Sequence, residues 1–599
     1  PAPDAAASFG LSRLDVDDHD DDADLLQDPR EWLAVTGAFE QPRLLYNAAQ
    51  RHFEKSASAP SLFPSPAHKT DLFRQRYHIV HQRILRNETF QAPTFSAARS
   101  AALSRTASVA TSQPNTITPI ANLLGRTGSA HLLLGMLVVS PTGALSLSDL
   151  TGTIVLDIQH ARPIPENGAY FAPGMIVLVD GSYEEDHGAA SSNLGGTGGI
   201  GGTIGGRFLA FSVGHPPCER RTATLGGTDE IDKSSLQGPA FGWTDFLGLG
   251  SQRATGSRMN RIAANLLTST ASHNIVIASD LHLDTPSTLS ALRTLLRTYS
   301  PSQANSNPVY PLAVVLIGNF SSKATLAAVP GAGSIEYKEH FDALASVLSE
   351  FQSLIAHTSL VFVPGDNDAW PSAFSAGAAT PIPRKPVPAL FTNRLRRAVA
   401  EANREVWGGG RAKGKEGEVL WTSNPSRLSW FGVKGEMAIL RDDLAGRLHR
   451  TSIRFPKPQA EEEDEMPFAP EHDVNEAMDI DLPAPQTVQP HQEPPIDAET
   501  QTARALTRTI LSQSHLSPFP LSARPLHWDF AHALGLYPLP TSLVLADSEA
   551  PAFVVKYCGC TVMNPGPIDA SRGSKGREGR SRWVEFDIRT NAGVIRNEG

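Results

Sequence analysis

Asp280 and His282 stand two positions apart at the end of the apolar run Ile275-Val-Ile-Ala-Ser279, so a carboxylate and an imidazole leave one strand end together. Two such groups can share a metal ion, and open α/β sheets collect ligands in the crevice at the carboxyl ends of their strands. Two further apolar runs end in polar turns the same way. Ala313-Val-Val-Leu-Ile317 precedes Gly318-Asn319, and Leu360-Val-Phe-Val363 precedes Pro364-Gly-Asp-Asn-Asp368. Continuous β-branched runs predict strands buried on both faces, hence a parallel sheet. Asp366 is a candidate oxygen ligand, His515 a candidate isolated imidazole, and Asp547 and Glu549 close a later run, Leu545-Ala-Asp-Ser-Glu549. A lone Asp-x-His arises often by chance, and its plain alternative is a pair of hydrogen-bonded strand-end residues. Three such strands in order say more about the fold than about the metal.

The order of these strand ends resembles the binuclear metallophosphoesterases of the calcineurin-like type. That family begins its site with Asp-x-His and continues with Gly-Asp, Gly-Asn-His-Asp/Glu and a late Gly-His-x-His. In such a site the Gly-Asp carboxylate bridges two dications about 3.5–4 Å apart. Here a neutral amide, Asn319, takes that place, Asn367 stands where the family has histidine, and Asp547 and Glu549 stand for the late histidines. The resemblance therefore implies vestigial metal positions at Asp280, His282, Asn319, Asp366, Asn367, His515, Asp547 and Glu549. It implies no catalytic residue, no cofactor and no resident metal.

A second resemblance is more specific. Phe73-Arg-Gln-Arg-Tyr-His-Ile-Val-His-Gln-Arg83, Leu316-Ile-Gly-Asn-Phe-Ser-Ser322, Ile510-Leu-Ser-Gln-Ser-His-Leu-Ser-Pro518 and Met563-Asn-Pro-Gly566 resemble the B-subunits of replicative DNA polymerases, those of polymerase epsilon above all. The likeness runs from about Glu31 to near the C-terminus. It implies a non-catalytic, nuclear scaffold protein that joins an OB barrel to an inactivated phosphoesterase sandwich, two sheets flanked by helices. The implied partner is the C-terminal region of the catalytic subunit, with the small histone-fold subunits reached indirectly and DNA bound weakly or through the complex. In that family a small helical domain precedes this region and is ascribed contact with the replicative helicase, a partner expected only through that domain, which this chain is expected to lack. The chain opens at Pro1 without methionine, as expected of a fragment.

Composition narrows the alternatives. With 599 residues, 40% of them hydrophobic, the chain can build more than one core. Three cysteines, Cys218, Cys558 and Cys560, make no disulfide framework, and Cys558-Gly-Cys560 has the wrong spacing for a zinc knuckle. No apolar run is long enough to span a membrane, so no membrane partner is expected. The formal charge of −10 is concentrated in seven acids within residues 15–24 and thirteen within 459–499, neither stretch holding Lys or Arg. Setting these aside leaves +10 over the remainder, too dilute for a nucleic-acid footprint.

Along the chain, residues 1–30 read as a disordered acidic tail and 31–115 as a helical connector and linker. In the connector, Phe73, Tyr77, Val80 and Ile84 fall on one helical face with Arg74, Arg76, Arg83 and Arg86 around it. Residues 116–250 read as an OB domain, with strands at 131–140, 145–148, 153–158, 175–179 and 207–213 and a glycine-rich insertion at 195–206. Residues 260–599 read as the phosphoesterase domain, interrupted by a disordered acidic insertion at 456–502. Two other function classes remain open on residues alone. A metal-dependent phosphodiesterase needs the groups missing at Asn319 and Asn367. A single-strand binder needs stacking aromatics, and the barrel region supplies only Phe208, Phe211, Tyr170, Phe171 and Tyr183.

Overall fold

The computed structural model describes residues 28–91, 115–185, 203–226, 240–269, 273–301, 309–325, 330–368, 377–408, 415–456, 497–570 and 580–598. The acidic tail to residue 27, the linker at 92–114, the glycines at 195–202 and the acidic stretch at 457–496 lie outside the described residues.

The first element corrects the reading of residues 31–115 as helix and linker. Leu33–Gly37 forms β1, which pairs antiparallel with Ser426–Trp430 far along the chain. Five residues carry no helical period, and the deciding force is burial of Leu33 between two sheets, which only tertiary pairing supplies. A hairpin follows, β2 (Leu44–Asn47) and β3 (His52–Lys55), and then helix α1 (Ala67–Leu85). On α1, Val80 and Ile84 are buried as the stripe predicted, but so are Arg76 and Arg83.

The barrel holds β4 (Ala130–Val139), β5 (Leu145–Ser148), β6 (Thr153–Asp157), β7 (Arg162–Ile164), β8 (Ile176–Glu184) and β9 (Thr203–Gly214), in the order β6-β5-β4-β8-β9-β7. Parallel pairing of β6 with β9 closes it. β9 begins four residues before the predicted strand, inside the glycine-rich run. Gly206 explains why: its φ is +88°, and a Cβ there would lie 2.4 Å from the Glu184 carbonyl of β8, so only glycine lets the strands approach. The barrel ends at Gly214, short of the predicted boundary at 250. Phe241 instead packs on Phe53 of the β2-β3 hairpin at 5.1 Å.

The remaining strands build a two-sheet sandwich. One sheet has the order β13-β12-β11-β10-β19-β20, from Glu418–Trp421, Ser359–Val363, Ala313–Ile317, Asn274–Ala278, Ser581–Asp587 and Ala592–Glu598. The other has the order β1-β14-β15-β16-β18-β17, adding Ser426–Trp430, Gly435–Arg441, Ser542–Ala546, Cys560–Asn564 and Phe553–Tyr557. β10 to β13 run parallel, as do β15, β16 and β18.

Two-residue alternation assigns each face. Ile275, Ile277, Val315, Ile317, Val361 and Val363 meet Met437, Ile439 and Val544 between the sheets. Val276, Val314, Leu316 and Phe362 face the outer helices, α3 (Pro286–Tyr299), α4 (Ser334–Ser349) and α5 (Ala389–Trp407), while α2 (Gln252–Ser269) adds Ala263 and Leu266 to the inter-sheet core. Leu440, Leu543, Leu545 and Val562 face away from the sandwich and join the barrel core of Leu133, Phe171 and Val179. Helix α6 (Leu444–Thr451) and helix α7 (Ala498–Gln513) complete that joint. α7 starts within the predicted acidic insertion at 456–502, because apolar Leu506, Ile510 and Leu511 require a helix against the barrel. No helix among the described residues is long and apolar enough to cross a membrane.

Candidate functional site: a crevice closed by arginines

The carboxyl ends of β10, β11, β12, β15 and β16 converge, so their following turns share one crevice. Asp280 follows β10 with φ of +52°, a left-handed conformation that aspartate tolerates better than most residues. It is 2% exposed. One of its oxygens accepts from Nε and Nη2 of Arg441, at 3.0 and 2.7 Å. Arg441 is the last residue of β15, itself 2% exposed, and Nη1 reaches Asp443 at 2.9 Å. Burial alone would pull this guanidinium down, and the surrounding carboxylates, Asp280 first, hold it well above its ordinary range.

Asp366 is clasped by three more arginines. Arg524 binds both its oxygens, at 2.7 and 3.1 Å, and extends Nε to Asp442 at 3.5 Å. Arg447 on α6 lies 3.9 Å from Asp366 and 3.0 Å from Asp442. Arg384 donates to the Asp366 and Asp368 backbone carbonyls and stands 4.0 Å from the Asp366 carboxylate. Four guanidiniums thus face the carboxylates of Asp280, Asp366, Asp442 and Asp443. They carry the same formal charge as two dications would bring to such a crevice.

The two asparagines are built into loops. Asn319 Oδ1 accepts the Asn367 backbone N–H at 2.9 Å. Asn367 Nδ2 donates to the Ser321 and Ser322 carbonyls at 3.1 and 3.2 Å. Beside them Asp368 accepts from Gly365 N, Phe320 N and the Tyr337 hydroxyl, and burial pushes its carboxyl up to about 6. His282 shares the Asp280 turn, its backbone N–H on the Asp280 carbonyl at 2.9 Å.

The later positions are less united. Asp547 is fully buried, accepts from Ala445 N and Glu549 N, and is pushed up to about 7, chiefly by burial. Asn564 of the Met563-Asn-Pro-Gly566 motif holds that turn, accepting from Asp547 N and donating to the Asp547 carbonyl. The Glu549 carboxylate is exposed and lies 3.7 Å from Arg450. His515 is not brought to the crevice at all. The turn after α7 carries it to the face covered by α1, where it lines a cavity with Arg76 and Val80.

These residues do not fit a binuclear metal centre. One Asp280 oxygen and both Asp366 oxygens are held by guanidiniums, and the Asn319 side-chain oxygen accepts from backbone. Among the described residues no three His, Cys, Asp or Glu side chains are grouped to hold a metal ion. The arginines that fill the site were not singled out in the sequence. The one signal that could have found them is Arg441-Asp442-Asp443, a charged triplet ending a fully buried strand.

Comparisons with known proteins bear on the family of the chain. The model of the family described as the B-subunit of DNA polymerases alpha and epsilon matches residues 275–555, and that described as the OB-fold domain of proteins like the second DNA polymerase epsilon subunit matches 66–217. The DNA polymerase epsilon B-subunit of Schizosaccharomyces pombe is 33% identical over 539 residues, covering 90% of this chain and 73% of that one. The Saccharomyces cerevisiae protein of the same name is 31% identical, covering 93% of this chain and 74% of its own. DNA polymerase epsilon subunit 2 of Homo sapiens is 26% identical, covering 90% and 79%. With relatives of 31–33% identity covering nine-tenths or more of this chain and more than seven-tenths of their own length, the chain belongs to the family of DNA polymerase epsilon B-subunits.

Proposed function

We propose that this chain is a non-catalytic scaffold of the polymerase epsilon complex in the nucleus, and that barrel and sandwich together dock the C-terminal region of the catalytic subunit. The observation that supports this reading is the arginine-filled crevice. A hydrolase needs open oxygen ligands and a group to polarise phosphate, whereas here one Asp280 oxygen and both Asp366 oxygens are held in internal ion pairs. What the fold keeps is a double domain, with the outer face of one sheet joined to the barrel core through Leu440, Leu543 and Leu545.

A single-strand-binding reading gains little from the barrel. Phe171, Tyr183 and Phe208 are buried in its core, and Phe211 is the exposed ring among the aromatics of its strands.

The test is co-expression of the full chain with the C-terminal region of the catalytic subunit. A complex that stays intact through gel filtration in moderate salt supports the scaffold. Separate elution of two folded proteins at micromolar concentration, together with phosphodiester hydrolysis by this chain alone, would overturn it.

A further inference from the structure

A second cavity, of about 140 Å³, opens where α1 crosses the β2 segment and the turn after α7. Several donors in its polar lining are left unmatched. Arg76 is only 9% exposed, and its Nε and Nη2, the edge of a guanidinium that forms a bidentate fork, have no hydrogen-bond partner among the described residues. Arg43 Nη1 and Gln41 Nε2 are likewise buried and unmatched.

His515 adds a fifth donor. Its Nδ1 accepts the Ser517 backbone N–H at 3.1 Å, so in the neutral ring the proton sits on Nε2, and that atom too is buried without a partner. Burial, with Arg76 beside it, holds this imidazole neutral.

The acids lining the cavity are already engaged. Glu436 is bound by Arg427 and Arg221. Asp529 is bound by His68 at 2.5 Å and by Arg43 Nη2 at 3.4 Å. Asp71 is exposed and lies 3.7 Å from Arg74. Among the described residues no carboxylate comes within ion-pair distance of Arg76, whose burial pushes it down to about 10, still charged at neutral pH. A buried charge without a counter-charge is costly.

We propose that this cavity is a binding site for a tetrahedral oxyanion of the phosphate class. Five unmatched donors exceed what one carboxylate, with about four lone-pair positions, accepts. A phosphate presents more oxygens around one centre and takes the Arg76 fork on two of them, while Arg43, Gln41 and His515 reach the others. The site is separate from the arginine crevice and independent of the docking role.

Thermal unfolding of the full chain, titrated with inorganic phosphate against sodium chloride of matched ionic strength, tests this. A saturable rise in Tm with phosphate is expected in the wild type. Arg76→Met should abolish it, and Arg76→Lys, which keeps the charge and loses the fork, should weaken the midpoint about tenfold. If Arg76→Met does not fold, Arg76→Lys carries the comparison. A response equal to that of chloride, or one unchanged in both variants, overturns the site. An acetate titration that matches phosphate overturns the tetrahedral assignment in favour of a carboxylate.

Discussion

Arg441 donates from both Nε and Nη2 to a single oxygen of Asp280, and the other oxygen of that carboxylate is buried without a partner among the described residues. The strand-end aspartate of the Asp-x-His motif is thereby used as an anchor for β15. One carboxylate joins the two sheets at their carboxyl ends, since Asp280 follows a strand of one sheet and Arg441 ends a strand of the other.

That pairing predicts an asymmetry between single and double substitutions. Arg441→Met leaves Asp280 charged and buried, and should cost roughly 3–5 kcal/mol of unfolding free energy. Adding Asp280→Asn removes the stranded charge, keeps a side chain suited to the left-handed φ of +52°, and should restore most of the loss. Urea denaturation of the two variants beside the wild type measures this. Equal losses in both would mean that packing around Arg441, not charge, sets the cost.

How far the crevice could be read from the sequence follows from the same residues. Asp280, Asn319 and Asp366 were legible because each ends a β-branched run, and a buried parallel strand leaves no other place for such a run. The arginines come from unrelated segments: Arg384 after Pro383, Arg447 on α6, Arg524 before Pro525. No period or spacing links them, so only the assembled fold brings them together. His515 misled for the opposite reason. An imidazole has the chemistry of a ligand wherever it stands, and the turn after α7 sends this one to the α1 side. β1 was missed because five residues of a remote edge strand hold no signal apart from the partner strand.

Divalent metal should bring no gain in stability. A ligand that binds only the native state raises stability by about 2.7 kcal/mol at a hundred times its Kd. Manganese or zinc at the crevice would meet the charge of the guanidiniums that hold Asp280 and Asp366. Thermal unfolding with manganese, zinc or chelator should therefore superimpose, and the chain should not hydrolyse a phosphodiester with any of them. Turnover that disappears in Asp280→Ala would refute this.

Asp547 gives a pH signature. Its carboxyl is raised from an ordinary 3.8 to about 7, by burial first, with the Ala445 N–H pulling it down and the Asp443 charge pushing it up again. Between these two values the folded chain keeps a proton that the unfolded chain has released. Its contribution to stability is therefore full below about pH 4 and is lost as pH rises toward about 7. Asp368, raised to about 6, acts in the same direction over a narrower window. His215, lowered to about 4 by burial, acts oppositely, losing stability as pH falls, so the informative quantity is a difference. The stability gap between wild type and Asp547→Ala should shift against the wild type as pH is raised from 5 to 7. A gap constant across that range would show that Asp547 titrates normally.

The joint between barrel and sandwich rests on a polar contact as well as an apolar one. Gln513, the last residue of α7, accepts from Ile176 N at 2.8 Å and donates to Ile176 O at 2.7 Å, matching both backbone groups at the start of β8 as a neighbouring strand would. Gln513 and Ile176 are both buried, so no water takes over when the amide is removed. Gln513→Leu keeps a similar apolar bulk but strands a backbone N–H and a backbone C=O, each costing about 1–3 kcal/mol. Because the loss falls on the joint, the barrel should come free before the sandwich melts. The wild type is expected to unfold in one calorimetric transition and Gln513→Leu in two, the earlier one accompanied by faster amide exchange along β8 and β4. A single transition merely shifted to lower temperature would mean that the apolar seam of Leu440, Leu543 and Leu545 couples the domains without help from the amide.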